Sequence, residues 1–91
     1  MITKIRKFGA QWCGPCKKLT ETLKSIDIPV LEIDVDENPE LTEQCNIQSV
    51  PTLHFLDDND NIVDTTIGNL SRKAILDIIE RSRQNDTQKE N

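Results

Sequence analysis

FGAQWCGPCKKL, residues Phe8 to Leu19, is the stretch on which the fold turns. Just upstream, ITKIRKF (residues 2–8) combines β-branched residues with an aromatic and stops at Gly9, which predicts a strand despite its three positive charges. Downstream, the run from Cys13 to about Ile26 has Leu19 and Leu23 four apart, Lys and Glu elsewhere and Pro29 nearby, which predicts an amphipathic helix. Cys13 and Cys16 therefore fall at a strand-to-helix junction. Unpaired backbone N–H groups and the helix dipole stabilise a thiolate there, so Cys13 is the expected nucleophile. Cys16 lies in the first turn, more shielded, yet close enough to close a disulfide with Cys13 or to attack a mixed disulfide formed there. Between them, in the Gly14-Pro15 dipeptide, the proline is tolerated so early in a helix and stiffens the loop. A C-x-x-C spacing by itself suggests redox chemistry or metal binding.

Working outward, Val30 to Val35 is apolar-rich and extended. Asn38-Pro39-Glu40 then offers an N-cap, a first-turn proline and an acid at the positive helix end, predicting a short helix to about Cys45. Pro51 opens the extended run TLHFL; the turn cluster DDNDN (57–61) separates it from Ile62 to Ile67, and the two runs read as a hairpin closed by Gly68. Ser71 is placed to cap a last helix with Ala74, Ile75, Ile78 and Ile79 on one face. The predicted order is β-α-β-α-β-β-α. A βαβ start makes the first two strands parallel and the hairpin makes the last two antiparallel, giving an α/β fold with a four-stranded mixed sheet.

The chain has 91 residues, 35% hydrophobic and 30% charged, enough for one lean-cored domain. That domain is expected over residues 1–83, followed by a flexible tail, 84–91, without apolar residues. A net charge of −5 argues against nucleic acid or an anionic membrane as partner. No apolar stretch approaches the roughly 20 residues of a membrane helix, and the start MITKIRKFGA does not read as a signal peptide. Three cysteines do not make a secreted disulfide framework, and a cytoplasmic, monomeric protein is the expectation.

At this point the sequence strongly resembles the thioredoxin family, through WCGPC at Trp12 to Cys16, VDENP ending at Pro39, Val50-Pro51-Thr52 and Ile67-Gly68. The resemblance covers roughly residues 5 to 80, with four separated landmarks in the family order. It implies a thioredoxin-like fold and a protein disulfide reductase. The Cys13 thiolate would attack a target disulfide, and Cys16 would resolve the mixed disulfide. It also implies that Pro51 is cis against the cysteine pair and that Trp12, Val50, Pro51 and Gly68 line a groove for an extended target peptide. The implied partners are disulfide-containing proteins and an NADPH-linked thioredoxin reductase; no bound organic cofactor is implied.

Two departures from the family pattern shape further expectations. Met1 stands directly before the strand leading to the cysteines, where full-length thioredoxins carry an extra strand and helix, so the chain resembles a minimal thioredoxin. Val30 to Val35 should then be a sheet edge, with Glu32, Asp34 and Asp36 discouraging edge-to-edge pairing. Part of one sheet face should also be uncovered, and strand alternation assigns Lys4 and Arg6 to it as exposed residues. Secondly, Lys7 takes the place of a buried Asp usual beneath the cysteines, and Glu32 that of a buried Lys. The expectation is that Lys7 and Glu32 face each other across neighbouring parallel strands and that Glu32 accepts the proton as Cys16 attacks; the alternative is that both are simply solvated.

For Cys13 and Cys16 the alternatives are an inert disulfide and a structural zinc half-site, and zinc usually wants four ligands where only Cys45 and His54 remain as candidates. Cys45 reads as a small packed hydrophobe and His54, between Leu53 and Phe55, as a residue of the second sheet face. The acids at 57–60 lack the spacing of a calcium loop. A glutaredoxin-like, glutathione-dependent reductase is disfavoured by Gly14-Pro15, and a redox-independent binding subunit is the rival from another class.

Overall fold

The computed structural model describes the backbone of residues 1–89 and the side chains of residues 1–84. All but the first residue of the expected tail, 84–91, lies outside the residues whose side chains are described. Among the described residues seven elements follow in the predicted order: β1 (Lys4–Gly9), α1 (Gly14–Leu23), β2 (Val30–Asp34), α2 (Pro39–Gln44), β3 (Thr52–Leu56), β4 (Ile62–Ile67) and α3 (Arg72–Lys89). The sheet order is β2-β1-β3-β4. β1 runs parallel to β2 and antiparallel to β3, and β3 runs antiparallel to β4, with a register irregularity at Phe55/Leu56. Among the described residues β2 is an edge strand, as expected.

Strand alternation divides the sheet. Ile5 of β1 and Leu53 and Phe55 of β3 join Leu19 and Leu23 of α1 and Ile75, Ile78 and Ile79 of α3 in the main apolar core. The last helix enters this core cleanly because Ser71 caps it, its Oγ accepting from the Ala74 N–H at 3.1 Å.

The structure corrects several local expectations. α1 stops at Leu23 rather than near Ile26, its C-cap at Lys24, although Ile26 still reaches the core. Asn38 stands at the N-cap of α2 but its side chain does not cap; its Nδ2 donates to the Asp34 carbonyl at 3.0 Å, tightening the connection from β2 instead. Lys4 and Arg6 do share the second face, with His54 opposite Arg6 and Thr52 opposite Phe8. Neither is fully exposed: Lys4 is half-buried and paired with Asp60. Arg6 is half-buried, 5.6 Å from the centroid of the fully buried Phe8 ring, because a guanidinium stacks on an aromatic face and spreads its apolar stem along it. Its Nε has no hydrogen-bond partner.

Candidate active site

Cys13 is the N-cap of α1. Its extended backbone (φ −93°, ψ 106°) lets the chain leave β1 and enter the helix, and its Sγ accepts a hydrogen bond from the Cys16 N–H at 3.1 Å. A donor freed by the helix start thus points at the sulfur. Gly14 and Pro15 form the exposed first two positions of α1, where proline costs no hydrogen bond. Cys13 and Cys16 are joined as a disulfide with Cα atoms 5.3 Å apart, inside the range a disulfide spans. Cys13 is 5% and Cys16 2% exposed, so the order is the expected one but the contrast is small. Ala10 buries with both sulfurs, and Val35 and Val50 pack against the cluster.

Of the four residues assigned to the groove, Val50 packs against the cysteine cluster and Trp12 directly precedes Cys13. The Val50–Pro51 peptide is cis, Pro51 is buried, and its carbonyl accepts from the Gly68 N–H at 2.8 Å. Gly68 sits at φ +90°, a conformation that a side chain would strain. Trp12 is 71% exposed, and its indole N–H donates to Asp36 Oδ2 at 2.9 Å. Asp36 is held for that contact by its own N–H, which donates to Asp34 Oδ1 at 2.8 Å. Sequence reasoning gave Asp36 only an edge-charge role; the bond spans 24 positions, and its one trace was the VDENP segment in which Asp36 lies.

Beneath the disulfide, Lys7 and Glu32 are register partners across β1 and β2, and Lys7 Nζ stands 3.2 Å from Glu32 Oε1. They do face each other. The pair is unequal, with the lysine side chain 4% exposed and the glutamate 52%. The Thr20 hydroxyl, one turn beyond Cys16, donates to Glu32 Oε1 at 3.0 Å and lies 3.1 Å from the Cys16 carbonyl oxygen. An open cleft of about 380 Å³ leads from solvent past Glu32, Thr20 and Lys7 to Cys16. Cys45, at the C-cap of α2, is half-exposed and belongs to neither apolar cluster. His54 lies buried on the second face, its ring edge-on to Phe8 at 5.1 Å. Among the described residues no group of three or more His, Cys, Asp and Glu is arranged to hold a metal ion.

Comparison with known proteins agrees with this geometry. The thioredoxin family matches residues 3–81. The chain is 34% identical over 83 residues to thioredoxin of Bacillus subtilis, covering 85% of this chain and 79% of that protein. Against thioredoxin of Rickettsia felis it is 38% identical over 81 residues, 82% and 76% of the two chains. The structure of thioredoxin 1 from Thermosipho africanus superposes with a TM-score of 0.75 at 31% identity, covering 92% of this chain and 98% of that one. A mixed sheet presenting a C-x-x-C pair at a helix N-terminus, in such company, is a thiol–disulfide oxidoreductase that reduces protein disulfides through Cys13 and Cys16. The chain belongs to the thioredoxin family.

Proposed function

We propose that Cys13 is the attacking thiolate, Cys16 the resolving thiol and Glu32 the acceptor of the Cys16 proton. In this reading Lys7 is the partner of Glu32, Gly14-Pro15 stiffens the loop between the sulfurs, and Trp12, Val50, Pro51 and Gly68 dock an extended segment of a disulfide-containing target. The observation that carries it is the N-cap geometry: the hydrogen bond from the Cys16 N–H to Cys13 Sγ supports a negative sulfur at Cys13 and at no other cysteine. The reducing partner is an NADPH-linked thioredoxin reductase, the protein acts as a monomer in the cytoplasm, and the working domain is residues 1–83, with 84–91 as an appended tail.

A trapping experiment tests the roles. Cys16→Ser should accumulate a one-to-one mixed disulfide with a disulfide-bonded target, seen by mass, whereas Cys13→Ser should form none. An adduct on Cys16 of the Cys13→Ser variant, and none on Cys13, would reverse the assignment. Turnover with glutathione matching that with NADPH and thioredoxin reductase would replace the proposed reductant.

A further inference from the structure

The cation, not the carboxylate, is the buried member of the pair beneath the disulfide. Gly9 shows how close it comes: a Cβ added there would lie 3.3 Å from Lys7 Nζ and 3.4 Å from both Cβ and Sγ of Cys16. The ammonium and the sulfur flank one small space that only glycine leaves open. Cys16 is itself 2% exposed, so a thiolate formed on it would be costly without a nearby positive charge. Charges on buried groups also interact more strongly than at the surface.

We propose that Lys7 is a positioning residue for the resolving step, its buried ammonium stabilising the Cys16 thiolate. The inference rests on the reading of Cys16 as the resolving thiol. In that step the Cys16 S–H proton passes to the half-exposed Glu32 carboxylate and the thiolate attacks Cys13 Sγ of the mixed disulfide. The Cys13–Cys16 bond forms, the Cys13–target bond breaks, and the target sulfur leaves as a thiolate that takes a proton from solvent. The target gains the two electrons that the cysteine pair loses. Lys7 acts differentially because the oxidised pair carries no charge for it to meet. Its presence therefore favours the dithiol and makes the protein a weaker reductant than it would be without it. The other charged groups lining the cleft are Lys17 of α1, Glu32 and Asp34 of β2, and Glu37 beyond it; α3 contributes none to the described lining.

The test is the ultraviolet thiolate absorbance of Cys16 against pH, in Cys13→Ser, Cys45→Ser protein that leaves it as the single cysteine. Lys7→Met should raise the titration midpoint by about one unit or more, the effect of removing an opposite charge at this range. Glu32→Gln should lower it. In the protein with both active-site cysteines, Lys7→Met should make the potential more negative by about 30 mV for each tenfold change in equilibrium, measured above the midpoint. Lys7→Gln, which keeps a polar chain in the same space, supplies the reading if Lys7→Met does not fold. A midpoint unmoved in a folded Lys7 variant, or moved downward, overturns the proposal. Failure of the Cys16→Ser trap with the midpoint still shifted would reject the resolving role alone.

Discussion

Arg6 donates to Nδ1 of His54 across 3.0 Å, joining β1 to β3 on the sheet face opposite the main core. The bond requires a neutral imidazole with its proton on Nε2, since Nδ1 must accept. Burial, and then the neighbouring Arg6 charge, hold the His54 pKa below its ordinary value of 6.5. The unfolded chain therefore binds the proton first. Stability should be complete above about pH 7 and fall as pH drops through 6.5 toward the lowered folded value. Thermal melts from pH 7.5 to 5 should show this loss in the wild type and a flatter profile in His54→Gln.

The Trp12–Asp36 bond holds the indole beside Cys13. Asp36→Ala should free the ring while leaving the sulfurs in place. Steady-state kinetics with a protein disulfide should show KM rising about fivefold, the worth of about 1 kcal/mol, with kcat nearly unchanged. A fall in kcat alone would mean that the contact acts on the chemistry.

Leu19 is fully buried one turn from Cys16, in the core cluster shared with residues of the sheet and α3. Leu19→Ala should lower the unfolding free energy by about 2–5 kcal/mol, the range for a core leucine whose cavity only partly collapses. Urea denaturation should show the midpoint falling at constant slope.

The two expected helix caps should now behave differently. Ser71→Ala removes a bond that is made and should cost about 1 kcal/mol. Asn38→Ala removes no cap bond, and its cost should be the smaller of the two. Paired denaturation curves of the two variants decide this.

The element order and the cysteine site were legible in the sequence because they rest on local signals: the period of Leu19 and Leu23, the turn residues at 57–61, and the spacing of Cys13 and Cys16. The confrontation of Lys7 with Glu32 was also legible, through the resemblance that places both residues by the WCGPC and Asn-Pro landmarks; the βαβ start adds only the parallel direction. What the sequence hid is set by tertiary packing. Nothing local says that Arg6 folds onto Phe8, that Asn38 turns back to Asp34, or that the glutamate of the pair faces water while the lysine does not. The approach of Lys7 to Cys16 depends on the missing side chain of Gly9, which in the sequence reads only as a strand end.

None of the six residues of α2 is buried, although Asn38, the residue before its first turn, lines the open cleft leading to Cys16. An element without apolar anchorage opens locally at small cost, so its amides should exchange with deuterium soonest, and those of β1 and β3 last. The protein then pairs a stiff floor under its sulfurs with a yielding flank. Local opening of α2 should then leave the spacing of the two sulfurs unchanged.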